Sequence, residues 1–79
     1  MEIKVLGSGC AKCKMLERST VEAVESLGIN ASVVKEEDMI KIMGYGILRT
    51  PGLVIDEKVV VSGRVPSVDE IKELITKYL

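Results

Sequence analysis

The chain has 79 residues, a net charge of −1, 29% charged side chains, no Trp, no Phe and two Tyr. A chain this short buries only about 60% of the surface its unfolded form exposes, so its core is thin and must be built from Ile, Val and Leu. The near-neutral balance offers no general attraction to nucleic acid or anionic lipid, and no apolar stretch approaches the roughly 20 residues that span a bilayer.

Glu2-Ile3-Lys4-Val5-Leu6 alternates polar and apolar side chains and stops at Gly7-Ser8-Gly9, which predicts a strand entering a flexible loop. Met1 leads directly into this strand with no basic and apolar leader pattern, so the chain is expected to be intracellular. Cys10-Ala11-Lys12-Cys13 follows at once and holds both cysteines of the chain. From Lys12 to Leu27, Cys13, Leu16, Thr20, Ala23, Val24 and Leu27 recur at three- and four-residue steps. Gly28 then supplies a stop, which predicts a first helix.

Ile29, Ala31 and Val33 alternate with Asn30 and Ser32, predicting a second strand that runs to about Lys35. Glu36-Glu37-Asp38 places negative charge at the head of a short helix through Met39, Ile40, Ile42 and Met43, ended by Gly44-Tyr45-Gly46. After the connecting segment Ile47 to Pro51, Gly52–Ile55 and Lys58–Ser62 are β-rich runs separated by Asp56-Glu57, which reads as a hairpin with a less favoured turn than Asp-Gly. Ser67 and Glu70 form a capping box with Pro66 and Ile71 as its hydrophobic staple, and Ile71, Leu74, Ile75 and Tyr78 share one face of a last helix. The order βαβαββα, with no linker or repeat, predicts one domain over residues 1–79. Its early strands pair in parallel through a right-handed crossover, and the hairpin adds antiparallel strands.

Chemistry concentrates at the cysteines. A thiol at a helix N-terminus feels the positive end of the peptide dipole and free backbone N–H groups, which favour the thiolate and make Cys10 a nucleophile near neutral pH. Cys13, three residues on, is placed to attack a mixed disulfide formed by Cys10. Two cysteines this close would close too small a loop to staple a fold, so the pair is there for chemistry.

Dithiol–disulfide exchange is the leading reading. Soft-metal binding is the rival, since two thiolates can hold Cu(I) linearly. Heavy-metal-associated domains also place CxxC after a first strand, but their order is βαββαβ and they have no counterpart to Thr50-Pro51. A structural zinc site would need four N or S ligands, and the chain has no His and only two Cys. A third class, a non-catalytic interaction module using a sheet edge or the groove beside the CxxC, would work unchanged with Cys10→Ser.

Lys12, Lys14 and Arg18 lie within two turns of Cys10, where a cation favours the thiolate. Lys12 is inside the motif, whereas Lys14 and Arg18 are suited to ordinary surface pairs with Glu17 and Glu22. Tyr45 is expected to fill space in a core short of bulky groups.

Taken together, the CxxC after a first strand, the Thr-Pro before the hairpin and the closing helix resemble the thioredoxin fold over essentially the whole chain. The likeness is to the small archaeal and bacterial thioredoxin-like or glutaredoxin-like proteins called redox-active disulfide proteins. It rests on Gly9-Cys10-Ala11-Lys12-Cys13, Tyr45-Gly46-Ile47, Thr50-Pro51-Gly52-Leu53-Val54-Ile55 and Ser62-Gly63-Arg64-Val65-Pro66-Ser67. The resemblance implies an α/β fold with a mixed four-stranded sheet in the order 2-1-3-4 and helices on both faces.

It also implies Cys10 as attacking thiolate, Cys13 as resolving thiol, a cis Pro51 packed against the disulfide, and Thr50 offering its backbone to an extended substrate strand. Ala11 and Lys12 would shape the site. Arg49, in the loop such a fold places beside the disulfide, is either a group that orients an acidic partner or an ordinary exposed arginine. The implied protein is a monomeric cytoplasmic electron carrier with no cofactor of its own, charged by a flavin-dependent disulfide reductase and discharging to disulfide-bearing proteins.

The chain departs from the resembled families at named places. Ala11-Lys12 replaces the Gly-Pro or Pro-Tyr between the cysteines, and no Trp precedes Cys10. Lys4 stands where thioredoxins have a buried Asp. Gly63-Arg64 stands where glutaredoxins have Gly-Gly and an acid to hold glutathione.

Overall fold

The computed structural model describes all of residues 1–79. The central strand β1 (Glu2–Leu6) pairs in parallel with β2 (Ser32–Glu36) and antiparallel with β3 (Gly52–Ile55), which pairs antiparallel with β4 (Lys58–Ser62). The sheet order is β2-β1-β3-β4, as the resemblance implies. Three helices complete the chain: α1 (Ala11–Leu27), α2 (Met39–Gly44) and α3 (Val68–Thr76). None is long and apolar enough to cross a membrane.

Alternation along β1 divides the molecule into two layers of unequal weight. Ile3 and Val5 point to one face, where they join Leu16, Ala23 and Val24 of α1, Leu53 and Ile55 of β3, and Ile71 and Ile75 of α3 in the main core. Leu6 points to the other, where Leu6, Val54 and Ile42 of α2 form a cluster of three, flanked by Tyr45 and Ile47. Each fully buried Leu or Ile contributes about 1.5–3 kcal/mol, so the α1–α3 side carries most of the stability. A register shift between Leu53 and Val54 brings both Val60 and Val61 of β4 against the main core.

Several local outcomes differ from the sequence reading. β2 starts at Ser32 rather than Ile29, because the parallel register begins at the Glu2–Ser32 pair, with the Met1 carbonyl accepting the Ser32 N–H at 3.1 Å, and residues 29–31 lie beyond it. Ile29 and Ala31 still pack against the core. Glu36 belongs to β2, and α2 begins later, capped by Asp38, whose carboxylate accepts the N–H groups of Ile40 at 2.9 Å and Lys41 at 3.4 Å.

Only half of the expected capping box forms. Ser67 Oγ accepts the Glu70 N–H at 3.1 Å, but the Glu70 carboxylate takes a bidentate pair from Arg64 instead of reaching back to Ser67. Charged fork-to-carboxylate bonds outcompete a single backbone N–H, and Arg64 holds the Glu70 carboxyl below its usual range. In the hairpin both Asp56 (φ 46°) and Glu57 (φ 69°) are left-handed without a glycine. Side-chain bonds compensate: Asp56 Oδ1 accepts the Glu2 N–H at 2.8 Å, and Glu57 binds Lys4.

Candidate active site

Two glycines with positive φ, Gly7 (153°) and Gly9 (68°), turn the chain sharply from the end of β1 into α1. α1 begins at Ala11, one residue ahead of the predicted start at Lys12, and Cys10 is its N-cap, with extended backbone (φ −77°, ψ 161°). Its Sγ accepts the N–H of Cys13 at 3.1 Å, the position at which Ser, Thr or Asp usually caps. Nothing acidic lies in the first turn of α1, so no carboxylate competes with a thiolate for these N–H groups or for the helix dipole.

Cys10 and Cys13 are joined as a disulfide across a Cα–Cα distance of 5.1 Å. They are not equivalent. Cys10, Ala11 and Lys12 are exposed, whereas Cys13 keeps only 3% of its surface and packs inward with α1. Solvent meets Cys10 at the helix cap far more freely than Cys13 behind it.

Gly7 connects this pair to the loop before β3. A Cβ built on Gly7 would fall on Cys13 Sγ, 3.2 Å from Cys13 Cβ and 3.7 Å from Thr50 Cβ, so the Cys13 sulfur and Thr50 approach one point from two sides. Thr50 is exposed and Pro51 buried, with a cis peptide between them. The Pro51 carbonyl accepts the N–H of Gly63 at 2.8 Å, tying this loop to the end of β4. Sequence reading treats Gly7 only as a flexible linker. Its close approach to both Cys13 and Thr50 is visible only in three dimensions, although a glycine ending a strand just before a CxxC is the available signal.

Lys4, at the position where the resembled thioredoxins have an acid, is committed away from the sulfurs. Its Nζ donates to Tyr45 Oη at 2.9 Å and to Glu57 Oε1 at 3.1 Å, and lies 3.6 Å from Glu2 Oε1. Tyr45 packs on the Leu6–Ile42–Val54 cluster while its hydroxyl reaches Glu57 at 3.3 Å, so it has a polar task beside its packing one. The network joins β1, the end of α2 and the hairpin turn.

Hydrogen bonding to Tyr45, then to Glu57, raises the Lys4 ammonium well above its ordinary value of 10.5. Stability from a raised pKa is fully present below the unfolded value and is lost as pH rises through the folded one. Lys4→Met is therefore expected to unfold at lower denaturant than wild type through neutral pH, with the gap closing only above about pH 10.5. Chemical melts across an alkaline pH series check this, and a gap that closes below pH 9 contradicts it.

Lys14 and Arg18 make no ion pairs with Glu17 or Glu22; Glu17 instead approaches Lys35 of β2 at 4.0 Å. Lys12 and Arg49 are likewise exposed and unpaired. No group of three or more His, Cys, Asp or Glu side chains converges anywhere in the chain.

A capped dithiol, one sulfur open and one buried, set on a βαβαββα frame that ends in a helix, defines a thiol–disulfide oxidoreductase and departs from the strand-ending order of the heavy-metal-associated domains. Comparison with known proteins supports this class. A family model described as thioredoxin domain matches residues 1–76, and the chain belongs to that family.

A thioredoxin of Methanothermobacter thermautotrophicus is 42% identical over 76 residues, covering 96% of this chain and 99% of the relative. A thioredoxin of Methanocaldococcus jannaschii is 42% identical over 77 residues, covering 98% and 88%. Among solved structures, thioredoxin 1 from the thermophilic eubacterium Thermosipho africanus matches with a TM-score of 0.61 at 20% identity, over 99% of this chain and 93% of its own, a likeness of fold.

Proposed function

We propose that residues 1–79 form one monomeric domain that carries electrons to protein disulfides in the cytoplasm and is recharged by a flavin-dependent disulfide reductase. The observation that carries this reading is the asymmetry of the sulfurs, with Cys10 exposed at a helix N-cap and Cys13 buried behind it. The kinship with two proteins named thioredoxin supports protein disulfides as substrates.

In the reduced protein the Cys10 thiolate attacks one sulfur of a substrate disulfide. That S–S bond breaks, its second sulfur leaves as a thiolate, and Cys10 is held in a mixed disulfide. Cys13 then loses its proton to solvent or to the departing thiolate and attacks Cys10 Sγ. The second substrate thiolate leaves, two electrons have passed to the substrate, and the Cys10–Cys13 disulfide remains. Lys4 is held by Tyr45 and Glu57, so the proton of Cys13 does not depend on it. Thr50, exposed beside the Cys13 sulfur, presents its backbone to the substrate strand, and Pro51, Ala11 and Lys12 shape the surface around it.

Alkylation of reduced, metal-free protein, mapped by mass for each cysteine across a pH series, tests this. Cys10 should react far faster than Cys13 and titrate below the ordinary thiol value of about 8.5. Equal rates with ordinary titration at both sulfurs overturn the helix-activated mechanism.

A further inference from the structure

Arg49 is exposed, and its guanidinium forms neither an ion pair nor a hydrogen bond with another side chain, whereas the neighbouring Arg64 is spent on Glu70. Its stem is nevertheless held. The position a Cβ on Gly63 would take lies 3.2 Å from Arg49 Cβ and 3.4 Å from Cδ, so the aliphatic part of the side chain lies along the Gly63 backbone. Gly63 is itself bonded to the Pro51 carbonyl. The free cation thus extends from a stem that lies against Gly63, beside the loop that carries Thr50 and Pro51, and a stem packed in advance lowers the cost of binding.

Arg49 borders a groove of about 460 Å³ whose lining includes Ile47, Leu48, Val59 and Ser62 and no carboxylate. Leu48 is 100% exposed and packs nothing. Across the site, Lys12 and Lys14 are also exposed and unpaired, and no acid lies in the first turn of α1.

The carboxylates at this end of the sheet are already engaged. Asp38 caps α2, Glu36 accepts the Asp38 N–H at 3.3 Å, and Glu37 pairs with Lys35 at 3.8 Å. Unpaired cations thus stand both in the first turn of α1 and on the loop before Thr50 and Pro51, in a chain whose net charge is −1.

We propose that Arg49 is a specificity-determining residue that selects disulfides in extended acidic segments: an Asp or Glu flanking the attacked cysteine seats on its guanidinium, with an adjacent apolar side chain against Leu48. This rests on the exchange reading above and adds the class of substrate. The planar guanidinium meets a carboxylate through two parallel N–H···O bonds, a geometry that an ammonium does not reproduce. Complementary charge at the rim acts on encounter more than on the chemical step, so the preference belongs in kcat/KM and weakens with salt.

The test uses two disulfide-linked peptides identical except for Glu or Gln beside the cysteine, reduced by wild-type, Arg49→Gln and Arg49→Lys proteins at low and high salt. Wild type should favour the Glu peptide by about fivefold in kcat/KM at low salt, the scale of an exposed ion pair, and lose the preference at high salt. Arg49→Gln should bring the ratio close to one, and Arg49→Lys should keep part of it. An unchanged ratio in Arg49→Gln, or no preference in wild type, overturns the assignment. Wild-type protein that reduces neither peptide overturns the underlying exchange reading, and this inference with it.

Discussion

Cys10→Ser is expected to abolish turnover of disulfide substrates, whereas Cys13→Ser is expected to attack once and stop as a stable mixed disulfide. The difference follows from position. Cys10 is the exposed N-cap, where free N–H groups and the helix dipole favour an anion, and a serine hydroxyl there caps the helix equally well but cannot form the S–S bond on which the reaction depends. Loss of activity in Cys10→Ser should therefore come without loss of helix. Cys13 keeps 3% of its surface, so in the proposed mechanism it would not meet substrate directly and would serve to release Cys10.

Mass spectrometry after mixing Cys13→Ser with a disulfide substrate should show a one-to-one adduct on Cys10 that survives until an external thiol is added. Two results count against the assignment of roles. One is an adduct on Cys13 in the Cys10→Ser protein at a comparable rate. The other is residual turnover in Cys10→Ser, which would favour a module that does not need the thiol.

The parts of this molecule legible in its sequence are those set by neighbours along the chain. α1 reads clearly because Leu16, Ala23 and Val24 return to one face and Gly28 closes the helix in the left-handed conformation (φ 64°), donating to the carbonyls of Val24 and Glu25. The hairpin reads from two β-rich runs, and the Cys10–Cys13 pair from its spacing. What is not legible depends on groups far apart in sequence. Ile29 and Ala31 alternate as a strand should, yet lie outside β2 because the parallel register begins only at the Glu2–Ser32 pair. Glu70 has the spacing of a capping-box acid, but Arg64, six residues earlier, takes its carboxylate.

Lys4, Tyr45 and Glu57 show the same limit away from the sulfurs. Their sequence positions suggest a strand residue, a helix end and a turn, and only the fold brings them into one network. The hairpin turn keeps two left-handed non-glycine residues because that network and the Asp56–Glu2 bond hold it. Here tertiary bonds override a local preference worth about 1–2 kcal/mol per residue.

Gly7→Ala is expected to cost more than any other single-methyl change near the site. Two independent penalties add at this position. The backbone stands at φ 153°, in the positive-φ region that side chains rarely adopt, for about 1–3 kcal/mol. The added Cβ also falls on the Cys13 sulfur, which is buried and tied to Cys10, so the sulfur or the backbone around it must shift; overpacking of that kind costs about 1–3 kcal/mol more. A total near 4 kcal/mol is a large part of the stability expected of a domain this small, about 0.05–0.15 kcal/mol per residue.

Gly9→Ala separates the two penalties. Its φ of 68° is also left-handed, but nothing lies within 4 Å of a Cβ there, so only the backbone cost applies. Urea melts of the two variants should show Gly7→Ala losing roughly twice what Gly9→Ala loses or more, the excess combining the packing term with the larger backbone cost at φ 153°. Gly7→Ala should also slow the step in which Cys13 releases substrate, because the displaced sulfur is the one that must reach Cys10, while initial attack by Cys10 is less affected. Equal destabilisation by the two substitutions would mean that the Cys13 sulfur has room to retreat, and Gly7 would then be a turn residue and nothing more.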